Sequence, residues 1–168
     1  GQPKAKSGER ALHEMNPGCK VVALTERLQG DALDEQVAQA DVVLDCTDNF
    51  NTRHAVNRAC VKHRKPLVSG AAIAFDGQVS VFDTRQPGAP CYHCLYPQDL
   101  AFEEVACATM GVFAPITGII GAIQAAEALK ILIGCGEPLA GRLLLLDGLS
   151  MEWQSIGIER NAQCKVCK

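Results

Sequence analysis

Two matched pairs of cysteines, Cys91-Tyr-His-Cys94 and Cys164-Lys-Val-Cys167, stand among the nine cysteines of this 168-residue chain. A two-residue gap lets both thiolates of a knuckle face one ion, and two knuckles complete a tetrahedron. The rival reading is a redox dithiol or a disulfide. A redox motif usually stands alone after a strand, however, and a chain with no visible export signal is expected to keep its thiols reduced. The pattern therefore reads as zinc held by Cys91, Cys94, Cys164 and Cys167. Four cysteine ligands leave no position for water, so such an ion is structural. His93 could substitute as a ligand, but from its place inside the first knuckle it is expected to face solvent.

A second constellation is Leu44-Asp45-Cys46-Thr47-Asp48-Asn49. It places Asp48 and Asn49 where a buried strand ends and a helix begins, the crevice in which open α/β sheets bind ligands. An aspartate there can hold magnesium beside phosphates. Equally, Asp48 or Asn49 can do no more than cap the helix, and spacing alone leaves the two readings level. Arg53 and Asn57, one turn apart on that helix, are candidates for the same crevice. Cys107 lies in an irregular acidic segment ahead of a helix, where a thiol is more available than on an apolar face. Cys46 and Cys60 fall on apolar faces and read as core.

The elements that position these residues alternate between strand and helix. Lys20 to Leu28 reads as a strand and Asp31 to Ala40 as a short helix. Asp41 to Thr47, carrying Val42-Val43-Leu44, reads as a parallel strand buried on both faces. Phe50 to Arg64 is helical, and Leu67 to Ser69 begins the next strand. That order implies a parallel sheet with right-handed crossovers. After Gly70, Gln78 to Thr84 alternates as a half-exposed antiparallel strand does. A loop runs from Pro87 to Pro97. Pro115 suits the first turn of a helix over 116–134, which Gly134 and Gly136 end. Leu143 to Leu146 and Trp153 to Ile158 read as closing strands. The expectation is one α/β domain over 1–168, its parallel sheet continuing into antiparallel strands.

Composition narrows the function. A formal charge of −3 gives no long-range attraction for phosphate backbones, so nucleic acid is disfavoured as a partner. The basic run Lys62-His63-Arg64-Lys65 closes a helix, where positive charge complements exposed carbonyls. Ile116 to Gly134 is apolar enough to suggest a membrane span, but Gln124, Glu127 and Lys130 fall at steps of three. They read as a polar stripe along the wet edge of a buried helix. A cytoplasmic protein is expected.

Taken in order along the chain, several pieces resemble the ThiF/MoeB family of bacterial adenylyltransferases, which serve sulfur carriers of thiamine and molybdopterin synthesis. They are Gly1-Gln-Pro-Lys4, Asn16-Pro17, Leu44 to Asn49, Ser69-Gly-Ala-Ala72, Cys91 to Cys94, Gly111-Val-Phe-Ala-Pro115 and Cys164 to Cys167. Asp147-Gly148 with Trp153 is closer to the thiamine branch. The resemblance implies a Rossmann-like fold and ATP-dependent adenylation of the C-terminal glycine of a ubiquitin-like carrier ending in Gly-Gly. It implies that Lys4 contacts the ATP phosphates and that Asp48 holds magnesium with Asn49 beside it. Arg53 and Asn57 would belong to the nucleotide site, and Cys107 would accept the activated carrier. A sulfur donor and a homodimer are implied as well. The family's glycine-rich phosphate loop, its ribose-binding acid and an arginine lent across the dimer all precede the point that matches Gly1. The chain is therefore expected to be the C-terminal two-thirds of an adenylyltransferase, inactive alone. Alternatives are a zinc-stapled binding scaffold without catalysis, a cysteine-based redox or sulfurtransferase protein, and activation of another ubiquitin-like protein.

Overall fold

The computed structural model describes residues 1–98 and 110–168. Helix α1 (Lys4–Met15) buries no residue. Helix α2 (Gly30–Gln39), strand β1 (Val43–Asp45) and helix α3 (Phe50–His63) follow. Strands β2 (Leu67–Ile73) and β3 (Asp76–Phe82) form a hairpin, and α4 (Tyr92–Leu95) is a single turn. Helix α5 (Ala114–Ile133) then leads to strands β4 (Arg142–Asp147) and β5 (Glu152–Gly157).

The sheet runs β1-β2-β3-β4-β5. Only β1 and β2 are parallel, with α3 as their crossover, and the remaining pairs are antiparallel. The expected switch after Gly70 is thus present, made by the β2–β3 hairpin. Alternation along the strands sends Leu67 and Phe82 to one face, where they pack with Val56, Ala59 and Cys60 of α3 and with Val37 of α2. Val68, Val79 and Val81 point to the other face, against Ala128 of α5.

Several expectations change. Lys20 to Leu28 forms no strand: it has no ladder partner among the described residues, and its Ala23 N–H donates instead to Glu9 Oε1 at 3.2 Å. β1 is an edge strand with Leu44 42% exposed, not a strand covered on both faces. β3 is central and buried from Val79 to Phe82, so Ser80 satisfies its hydroxyl by donating to Arg142 O at 2.8 Å. Within the Pro87–Pro97 loop, α4 makes one helical turn.

The ends of α3 and α5 follow their sequence signals. Asn49 Oδ1 accepts from Thr52 N–H at 2.8 Å, a capping bond that satisfies an otherwise orphaned donor. Lys62 and His63 occupy the last turn of α3, and Lys62 pairs with Asp34 of α2. Pro115 sits in the first turn of α5, and Gly134 closes it in the left-handed region at φ 71°. By length and composition α5 is apolar enough to cross a membrane. Its polar residues do not form a wet edge, however. Gln124 and Glu127 are buried against the sheet, while Leu129, Leu132 and Ile133 are exposed.

Candidate nucleotide crevice and four-thiol site

The turn from Asp45 to Asn49 is built by short bonds. Asp45, buried at the end of β1, accepts through Oδ1 from Thr47 N–H at 3.0 Å and from Thr47 Oγ1 at 2.7 Å. Arg53 reaches back from α3 and donates to Thr47 O through Nε at 3.0 Å and Nη2 at 2.5 Å. Asn49 is committed to the helix cap. Asp48 is left exposed at the crest, its Oδ1 accepting, among the described residues, only a long 3.4 Å bond from Asn49 Nδ2.

Two cavities meet there. The larger, about 480 Å³, runs from Asp48 and Arg53 across Ile73, Gln78, Leu145 and Gln154, where α3 no longer covers the antiparallel strands. Tyr96 borders it and donates through its hydroxyl to Gln78 Oε1 at 2.8 Å. The smaller, about 200 Å³, lies between the turn and α5 and is lined by Cys46, Gly70, Thr117 and Gln124. Asp48, Arg53, Ala71 and Ala72 border both. Cys46 is accordingly exposed and is not core, whereas Cys60 is buried and its thiol is pushed up to about 12 by that burial and by the charge of Asp45.

Gln124 closes the floor of the smaller cavity. Its Nε2 donates to Asp45 O at 2.9 Å and to Val68 O at 3.2 Å, and its Oε1 accepts from Cys46 Sγ at 3.4 Å. The β2 backbone passes so close that a Cβ at Gly70 would lie 2.3 Å from Gln124 Cδ, which restricts that position to glycine.

The four paired cysteines come together as their spacing predicts. Their sulfurs all lie within 4.8 Å of one another, with neighbouring separations of 4.0 Å (Cys91–Cys94), 3.8 Å (Cys91–Cys164) and 3.5 Å (Cys94–Cys167). A tetrahedron with metal–sulfur bonds of about 2.3 Å has edges of about 3.8 Å, whereas a disulfide needs about 2.05 Å. The arrangement therefore fits one tetrahedral ion and no disulfide. Burial pushes the Cys91 thiol up. Cys164, although burial opposes its thiolate, is held below the usual range by backbone N–H donors from Cys167 and Val166.

Asn57 belongs to this end of the molecule. It is 1% exposed, lines neither cavity, and donates through Nδ2 to Cys91 Sγ at 3.7 Å while accepting from Tyr92 N–H at 3.0 Å. His93 is buried, contrary to expectation, because α4 lies against α3. Its ring meets that of His54 edge-on at 5.6 Å, and its Nδ1 accepts from Gln98 N–H at 3.4 Å. Of the other site candidates, Lys4 stands exposed at the start of α1 and borders neither cavity. Cys107 lies outside the described residues.

A crossover helix carrying an acidic turn at its start and a four-thiol cluster near its end belongs to a Rossmann-like α/β protein with a crevice beside that turn and four sulfurs placed so that they could hold a metal ion. Residues 1–166 match the model of the ThiF family, and the chain belongs to that family. It is 44% identical over 166 residues to the Escherichia coli sulfur carrier protein ThiS adenylyltransferase, covering 99% of this chain and 65% of that protein. The Escherichia coli molybdopterin-synthase adenylyltransferase is 40% identical over 167 residues, covering 99% of this chain and 66% of the relative. The chain thus spans somewhat under two thirds of these relatives' length. Among solved structures, Escherichia coli MccB matches with a TM-score of 0.80 at 21% identity, over 99% of this chain and 50% of that one. PaaA matches at 0.73 and 14% identity, over 94% and 56%. Those likenesses bear on the fold.

Proposed function

We propose that the protein adenylates the C-terminal glycine of a ubiquitin-like sulfur-carrier protein with ATP. The observation that carries this reading is the division of labour at the Asp45–Asn49 turn. Asn49 is spent on the helix cap and Arg53 on Thr47 O, leaving Asp48 exposed, with only a long bond from Asn49 among the described residues, where two cavities join. Relatives named for carrier-protein adenylylation support it.

Magnesium is usually held by one or two carboxylates together with substrate phosphates, so a single exposed aspartate suits it. Asp48 would supply that ligand, and the ion would neutralise charge on the phosphates. The carrier's carboxylate attacks the α-phosphate of ATP, and pyrophosphate leaves. The larger cavity suits the carrier's tail, since Gly-Gly has no side chains to clash with its walls and extended backbone can follow the strands. Lys4 would contact the phosphates, and the Cys107 thiol would attack the acyl-adenylate, forming a thioester as AMP leaves, and a sulfur donor would then take the acyl group and free the thiol. Arg53 orients the turn at the nucleotide site. Asn57 would act there only through α3, from its place against Cys91. Zinc is the ion that four thiolates in a tetrahedron suit best. A homodimer and a phosphate loop supplied by a preceding segment complete the proposal.

The test is carrier-dependent exchange of pyrophosphate into ATP by the intact protein. Asp48→Ala is expected to slow exchange by about 100-fold or more, the equivalent of about 3 kcal/mol or more of lost charge stabilisation. The 168-residue chain alone is expected to be inactive. An Asp48→Ala protein exchanging at the wild-type rate overturns the reading.

A further inference from the structure

β1 is only three residues long, yet the turn that carries Asp48 hangs from its end. So short an edge strand cannot hold that turn by its own ladder. Arg53 of α3 holds Thr47 O from one side, and a second restraint comes from the opposite side of the sheet. Both amide protons of Gln124 are used on backbone carbonyls of two strands, Asp45 O of β1 and Val68 O of β2, and the side chain is 3% exposed. The two carbonyls dictate which way the carboxamide points, and Cys46 Sγ–H meets its oxygen. The three atoms nearest a hypothetical Cβ on residue 70 are all in the Gln124 carboxamide. Gly70 and Gln124 therefore form one fitted unit, the glycine making room for the amide that pins the strand end.

We infer that Gln124 is a positioning residue for Asp48: by fixing the last carbonyl of β1 it sets the height of the Asp45–Asn49 turn at the crevice. The chain of contacts is short. Gln124 holds the Asp45 backbone, the Asp45 carboxylate holds Thr47 N–H, and Asp48 follows directly. A buried carboxamide satisfied on two strands also costs several hydrogen bonds to remove, because both carbonyls lose their donor at once. An apolar residue at 124 would fill the same space and keep α5 packed. The role is therefore separable from packing.

The inference rests on the proposed adenylation for its consequence, but not for its geometry, so two readouts are needed. The first is amide hydrogen exchange at Thr47, whose N–H is bonded to Asp45 Oδ1. Gln124→Leu is expected to speed it by about tenfold relative to core amides of β3, the order of one net hydrogen bond. Gly70→Ala, which forces a methyl into the amide, is expected to do the same. Gly70→Ala added to Gln124→Ala is expected to add little, since the clashing atoms are gone. The second readout is the magnesium concentration for half-maximal pyrophosphate exchange by the intact protein, expected to rise by about fivefold or more in Gln124→Leu with the KM for carrier unchanged. Wild-type Thr47 protection in a folded Gln124→Leu protein overturns the inference, as does a loss of rate that leaves magnesium dependence untouched. If wild type itself shows no carrier-dependent exchange, the functional reading falls, and Thr47 protection still decides the role of Gln124.

Discussion

Replacing Cys164 by serine removes one of four sulfurs from a site that ties residue 164 to a knuckle about 70 positions earlier. In a chain-entropy picture, releasing a cross-link of that span costs about 4 kcal/mol. For a domain of this size each kcal/mol moves the melting temperature by about 2–4 °C. The expected drop is then roughly 8–16 °C, together with loss of one zinc per chain by metal analysis of protein prepared under reducing conditions. A chelator in excess should bring wild type down to the variant and leave the variant where it is, because both treatments remove the same cross-link. The 3.5–4.0 Å sulfur separations predict that a reductant alone changes neither melting temperature. Zinc-free wild-type protein, or a Cys164→Ser protein with undiminished zinc and melting temperature, refutes the reasoning. So does a chelator that lowers both proteins equally.

Acid should act through His54, 3% exposed, whose pKa is lowered from 6.5 to about 4 by burial and by the neighbouring His93 and Arg58. Between those values the unfolded chain binds a proton that the folded one refuses, so stability is present above about pH 6.5 and is lost as pH falls toward 4. The full span amounts to about 3 kcal/mol. His54→Phe, which keeps a ring against Tyr92 and His93, should lose correspondingly less on acidification in urea titrations. An unchanged pH slope would remove His54 from the account. For Cys107, a Cys107→Ser protein should keep pyrophosphate exchange nearly intact while losing any thiol-linked carrier adduct, read by mass spectrometry. An adduct that persists assigns the acceptor elsewhere.

The four-thiol site was legible because two identical gaps leave few geometries, and the β1–α3–β2 unit because its apolar runs and capping residue agree. Gln124 was misplaced for a physical reason. A step of three tells that Gln124, Glu127 and Lys130 share a helix face, but whether that face is wet depends on what it meets. Here it meets strand-end carbonyls for Gln124 and Leu139 N–H, 2.7 Å from Oε2, for Glu127. Neither backbone group is written in side-chain type. Asn57 shows a second limit. Four residues beyond Arg53 a helix has advanced about 6 Å, enough to carry a side chain from the crevice to the knuckle. Lys20 to Leu28 shows a third, since an extended pattern becomes a strand only when a neighbour supplies its ladder.

The separation of the two knuckles also sets an order of events during synthesis. At about 5–20 residues per second, the ribosome needs roughly 4–14 s to travel from Cys94 to Cys164. Strands β4 and β5 are made within that interval, so the sheet's antiparallel half can form before the sulfurs meet. Until then Cys91 and Cys94 are an open dithiol on a nascent chain, reachable by any oxidant. In the finished molecule Cys91 and Cys164 are buried and Cys94 is half-buried, so that access is much reduced. The yield of this protein should therefore follow the thiol redox state of the cell while the chain is being made, and be largely indifferent to it afterwards.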